Sequence, residues 1–151
     1  LNVRQSYPLG SVSKEAHSTR NYLYFDPSTR TTYWLRSNMN GVILYSMMFP
    51  NSVHEKENAL IAVHVIVEKD SNHDERLSEQ DNKQIAISMP NGKNYRILVP
   101  KVEEIHAVTL LPSGRLLIIY ALGKKLTAVE VSTQDLSSEV VTYPLSATFK
   151  G

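Results

Sequence analysis

Cysteine is absent from the 151 residues, and with it go disulfide scaffolds, Cys-ligated zinc, thiol nucleophiles and redox pairs. A cysteine-free chain suits a reducing or an oxidising compartment alike. Charge of one sign is also lacking. Sixteen Lys and Arg stand against fifteen Asp and Glu, a net charge of +1, which leaves no basic excess for a nucleic-acid partner. Long apolar runs are missing too. The longest, Ala59 to Val67, is interrupted by His64 and is far below the ~20 residues a membrane helix needs, so no membrane span is expected. The chain begins at Leu1 rather than Met, as expected of a trimmed N-terminus, and any targeting signal would stand upstream. What is present is 42% apolar residues and little net charge, the composition of a folded chain rather than a disordered one. The length is that of one domain, able to bury roughly 70% of its unfolded surface.

Residues 1–20 are polar and mixed, with Pro8 and Gly10, and read as an irregular N-terminal arm or an edge segment. From Asn21 the pattern changes to short β-branched and aromatic runs divided by turn residues. The runs are Asn21 to Phe25, Thr31 to Leu35, Val42 to Phe49, Leu60 to Glu68, Gln84 to Ser88 and Tyr95 to Val99. Four more follow: Ile105 to Leu111, Arg115 to Leu122, Leu126 to Ser132 and Glu139 to Tyr143. Pro90-Asn91-Gly92 and Pro112-Ser113-Gly114 repeat one turn, with Pro fixing φ and Gly supplying a positive φ. Runs such as Val63-His64-Val65-Ile66-Val67, rich in adjacent β-branched side chains, crowd a helical turn. The expected fold is all-β: about ten antiparallel strands, almost no helix, one domain over 21–145 and a short C-terminal tail over 146–151.

The runs divide into two sets of four, Val42 to Val99 and Ile105 to Tyr143. Setting aside insertions at 50–58 and 70–81, their starts lie about 42 positions apart, close to the ~40–50 residues of one four-stranded propeller blade. The pair at 21–35 would be half of an earlier blade. Two and a half blades do not close a ring, so three readings stand: a piece of a longer protein, a homo-oligomer that completes the ring, or meanders stacked as a β-sandwich.

One segment carries chemistry. In Asp70 to Asp81 oxygen-bearing side chains recur at positions 1, 3, 5, 9 and 12, with Leu77 at position 8. A calcium ion takes six to eight oxygen ligands, and a twelve-residue loop curling around it turns alternate side chains inward. Asp70, Asn72 and Asp74 would each give one ligand and the Arg76 carbonyl a fourth. Ser78 would bind directly or through water, and Asp81 would close the shell. The loop resembles an EF-hand or dockerin-type calcium loop, with Asp in place of the usual closing Glu. The entering segment is a strand rather than a helix, and Ser78 to Asp81 fits a capping box, so a short helical turn through about Lys83 is expected. Strand–loop–turn sites of this kind resemble those of bacterial extracytoplasmic proteins, and the blade-like hairpins over about 20–145 resemble a poorly characterised group of bacterial envelope propeller-type proteins. The resemblance implies a periplasmic or cell-envelope location and Ca²⁺ as a structural ligand.

Position 6 of such loops is normally Gly, because it needs positive φ; here it is Glu75. That substitution costs about 1 kcal/mol and implies a weak site, roughly 10⁻⁴ to 10⁻³ M, in the range of extracellular modules. The competing readings are a decayed, metal-free loop and a solvated acidic hairpin.

The remaining candidates point to packing. The histidines, 17, 54, 64, 73 and 106, share no metal-ligand spacing, although His64 and His106 could meet on one sheet face. No Gly-x-Ser-x-Gly elbow or phosphate loop is present. Glu103-Glu104 reads as a solvated bend. Tyr22, Tyr24, Tyr33 and Trp34 read as core packing or as a stacking platform for a sugar or peptide. The leading expectation is a non-enzymatic structural or interaction module with a protein or glycan partner. The alternative is a fragment or subunit of a propeller-type enzyme acting on glycans or peptides.

Overall fold

The computed structural model describes residues 10–13, 19–50 and 59–142, and every regular element among them is a β-strand. In chain order these are β1 (Gly10–Ser13), β2 (Thr19–Asp26), β3 (Thr31–Trp34), β4 (Val42–Phe49), β5 (Ile61–Val67) and β6 (Lys83–Ser88). Then come β7 (Arg96–Val102), β8 (Glu104–Leu110), β9 (Arg115–Leu122), β10 (Lys125–Ser132) and β11 (Ser138–Val141). All ten runs read from sequence are strands. The eleventh, β1, lies in the segment read as an irregular arm and pairs with β2 at its edge; four residues are too few for an alternating pattern to register. The rest of that arm before Thr19, the 50–58 insertion beyond Pro50, the 146–151 tail, His17 and His54 lie outside the described residues.

Two antiparallel sheets result. The seven-stranded sheet runs β1-β2-β4-β5-β6-β7, with β3 also on β2, and the four-stranded sheet runs β11-β10-β9-β8. The expected sets of four are therefore two consecutive up-and-down meanders, β4–β7 and β8–β11. Their facing sides form the main core. Phe49, Ile61, Val63, Ile85, Ile87, Val99 and Val102 come from the first meander, and Leu116, Ile118, Val129 and Val131 from the second. This face-to-face packing is common to sandwiches and to neighbouring propeller blades.

Strand β5 explains the third layer. Its sequence, Ile-Ala-Val-His-Val-Ile-Val, has no polar alternation, and a strand apolar on both faces has to be covered on both. All seven of its residues are buried. One face meets the second meander and the other meets the β2–β3 hairpin. That hairpin joins the sheet through a single register pair, Thr19 with Ile43, and then lies over the β4–β7 face, where Tyr24 and Leu35 pack on Ile43, Ile66 and Ala86.

The hairpin tip is fastened to the β6–β7 turn. The Tyr33 hydroxyl donates to the Asn91 carbonyl at 2.7 Å, and the Lys93 ammonium lies 3.3 Å from the Asp26 carboxylate. Gly92, at φ +84°, makes the close approach feasible, since a Cβ there would sit 2.5 Å from the buried Tyr24 ring. Gly92→Ala is expected to cost about 2 kcal/mol through strain and overpacking. Urea denaturation checks this, with the earliest loss seen at Trp34 on β3.

Candidate metal centre

Residues 68–82 connect β5 to β6, and the loop's backbone is organised by its own carboxylates. Asp70 accepts the N–H of Asp74 at 3.1 Å and that of Glu75 at 2.7 Å. Asp74 accepts the Arg76 N–H at 2.9 Å, and the Asn72 amide donates to Asp74 at 3.3 Å. These short-range bonds are the ordinary behaviour of Asp and Asn in turns. They bend the chain sharply enough that His73 and Glu75 take left-handed φ, +59° and +66°. Glu75 therefore adopts the positive φ that its position in the spacing demands, without a glycine to ease it.

Asp81 differs from the other carboxylates. It is 1% exposed, and its oxygens accept three backbone N–H groups: Ser71 at 2.9 Å, Asn72 at 3.3 Å and Ser78 at 2.8 Å. Burial alone would raise its pKa, but the N–H donors of Ser78, Asn72 and Ser71 outweigh that and hold it below the usual carboxylate range. The Ser78 hydroxyl accepts the Gln80 N–H at 3.2 Å rather than that of Asp81, so only the Asp81 half of the expected capping box forms. The expected helical turn is a single hydrogen-bonded turn, closed by the Asp81 N–H on the Ser78 carbonyl at 3.0 Å. It goes no further because β6 begins at Lys83.

The fold brings one ligand oxygen each from Asp70, Asp74 and Asp81 within 4.8 Å of one another. Of the other residues expected at the site, Asn72 is bonded to Asp74, Arg76 reaches Asp74 through its N–H, and Ser78 reaches Asp81 through its N–H. Three carboxylates at that spacing, one half-buried, one exposed and one buried, form an oxygen-rich set of the kind hard cations take.

Behind the loop lies a feature that the sequence concealed. A cleft of about 660 Å³ is lined by Tyr45 of β4, Glu79, Gln80, Asn82 and Lys83 of the loop and β6, and Glu103, Glu104 and Ile105 where β7 gives way to β8. Lys83 is buried, and its ammonium donates to the carbonyls of Glu103 at 2.8 Å and Asp81 at 3.2 Å. Burial lowers its pKa, opposed by the charges of Glu79, Glu104 and Asp81. One Glu103 oxygen accepts the Gly123 N–H at 2.8 Å, and Glu104 lies 3.7 Å from His106. Residues from three separate segments meet here, so spacing carries no signal of it.

One other expectation is corrected, and the tyrosines take the first of their two expected readings, core packing. His64 and His106 do not share a sheet face, because β5 and β8 belong to different sheets. The tyrosines do not form an open platform: Tyr24 is 1% exposed and stacks on Tyr33 with centroids 5.6 Å apart. Compared with known proteins, the chain matches no family model, no curated protein and no solved structure.

Proposed function

We propose that the chain is a non-catalytic, extracytoplasmic all-β module whose β5–β6 loop binds calcium for structural purposes. The observation that carries this reading is the convergence of Asp70, Asp74 and Asp81 within 4.8 Å in a loop with EF-hand spacing. All three come from one connection between adjacent central strands, so neutralising them would rigidify that connection rather than present an ion to a substrate. A site of about 10⁻⁴ to 10⁻³ M fills where calcium is millimolar, which suits the periplasm or cell envelope.

Calcium at ~10 mM is expected to stabilise the protein by more than about 1 kcal/mol, raising Tm by about 4 °C. Asp70→Ala and Asp74→Ala should each abolish that rise, and magnesium at the same concentration should not reproduce it. Differential scanning calorimetry makes the measurement. A Tm that ignores calcium overturns the assignment.

The cleft beside the loop favours a second reading, in which the chain is part of a propeller-type protein acting on or binding glycans or peptides. An exposed Tyr45 beside Glu79, Gln80, Asn82 and Glu104 offers the aromatic surface and polar rim that sugars use. Chemical-shift changes at Tyr45 and Ile105 on adding oligosaccharides would support it, and their absence across a glycan panel would remove it.

A further inference from the structure

The hairpin-covered face has a polar centre. His64 occupies the middle of β5 and is 1% exposed. Its Nδ1 lies 2.7 Å from Ser46 Oγ of β4, and its Nε2 lies 2.9 Å from Ser88 Oγ of β6. Chemistry fixes the direction of these bonds. Ser88 donates its one proton to the Met89 carbonyl at 2.7 Å, so it accepts from Nε2–H. A neutral imidazole carries one proton, so Nδ1 accepts from Ser46. The Ser46 oxygen, 3.3 Å from the Tyr22 hydroxyl, is then free to accept from it. The chain Tyr22, Ser46, His64, Ser88, Met89 carbonyl has every proton placed when the ring is neutral.

A second proton on Nδ1 would meet the Ser46 proton. Rotating that hydroxyl turns it on Tyr22, whose own proton then loses its acceptor. The surroundings give no relief. The Tyr22 ring of β2 lies 6.3 Å from the imidazole, and the Tyr95 ring, just before β7, lies 6.1 Å away. The charged group whose field reaches the ring is Arg36, a cation, itself 3.9 Å from Glu68 at the end of β5. From β4 and β6, Ser46 and Ser88 meet the ring through hydroxyls, and Ile43 and Ala86 add apolar surface to the same face.

We propose that His64 is an acid-operated latch, whose protonation lifts the β2–β3 hairpin off the β4–β7 face while the core between the two meanders stays folded. The hairpin is the element that gives way because its backbone joins β4 at a single register pair. Once it lifts, the ring meets water and takes its proton freely. None of the chain's members belongs to the main core between the meanders.

The sign follows from linkage. Burial first, and the Arg36 charge second, lower the His64 pKa from 6.5 to about 4. A depressed histidine favours the closed state fully above pH 6.5 and loses that contribution as pH falls toward 4. The open-to-closed ratio therefore rises about 30-fold between pH 7.5 and pH 5. The Asp26 carboxylate at the tip keeps its charge in this window. The Ser28 hydroxyl, with Lys93 assisting, holds the Asp26 pKa at about 2.

Trp34 is the chain's only tryptophan and lies on β3, so the hairpin carries its own reporter. Between pH 7.5 and 5, amide-exchange protection in β2–β3, corrected for intrinsic rate, should fall about 30-fold. Trp34 emission should shift with it, and β8–β11 should keep its protection. His64→Gln keeps a polar, non-titrating side chain and should remove the step. Should that variant not fold, Ser46→Ala/His64→Leu/Ser88→Ala replaces the whole chain by apolar groups and should likewise show no step. A step that persists in either variant, loss of β8–β11 protection in parallel, or an NMR titration of wild-type His64 near 6.5 in the closed protein would each overturn the latch.

Discussion

Gly41→Ala is expected to destabilise the protein by about 4 kcal/mol, enough to unfold a marginal domain. Gly41 has φ +68°, and an added Cβ would lie 2.0 Å from the Val67 carbonyl oxygen and 2.5 Å from the Glu68 Cα. Those are backbone atoms, held in place by the pairing of Val42 with Val67, so no side-chain rotation relieves the clash. The ends of β4 and β5 would have to separate. Gly123 supplies the control. It too has positive φ, +64°, but nothing lies within 4 Å of its would-be Cβ, so Gly123→Ala should cost only the ~1 kcal/mol of backbone strain. Equal denaturation midpoints for the two variants would contradict the account.

Asp81→Ala should also cost about 4 kcal/mol, and should do so in the presence of a chelator. Its carboxylate answers the N–H groups of Ser71, Asn72 and Ser78 from a site 1% exposed. Truncation leaves these donors without an acceptor, at about 1–3 kcal/mol each. Asp70→Ala removes two solvent-exposed bonds, from the Asp74 and Glu75 N–H groups, at a half-buried residue, so in EDTA its cost should be about 1 kcal/mol. Chemical denaturation with and without calcium checks this: the cost of Asp81→Ala should be the same in both, because its carboxylate holds the loop backbone without an ion. The pH dependence has the same origin. Asp81 has a lowered pKa in the folded state, so its contribution is complete above the ordinary carboxylate range near pH 4 and fades as pH falls through its folded value.

Strand identity was legible because each run is bounded by turn chemistry. Pro90-Asn91-Gly92 and Pro112-Ser113-Gly114 fall between β6 and β7 and between β8 and β9, where hairpins need them. The division into sets of four also matches the two meanders. The β2–β3 overlay was not legible, since nothing local shows that Tyr22 and Tyr24 face β5 across 40 positions. The same limit explains His64. Its alternation with Val63 and Val65 marks it as a strand residue, but Ser46 and Ser88 reach it only through the β4–β5 and β5–β6 registers.

Of the six loop residues singled out by spacing, the carboxylates of Asp70, Asp74 and Asp81 lie within 4.8 Å of one another, because a twelve-residue connection is short enough for sequence separation to dictate proximity. Spacing did not distinguish the exposed Asp74 from the buried Asp81, a difference set by how the loop lies against β6. The cleft was hidden for a related reason. Tyr45, Lys83 and Glu104 come from three strands of two sheets.

The order of strands within the meanders has a kinetic corollary. Within β4–β7 and within β8–β11 every strand after the first bonds to its immediate predecessor, so neither meander contains a crossover and the contacts that build it are close in sequence. Sandwiches wired as Greek keys must close long loops before their first stable pairing, and they fold slowly for that reason. Here each hairpin can zip onto the one before it as the chain lengthens. Refolding should therefore be faster than for an interleaved β-sandwich of the same size.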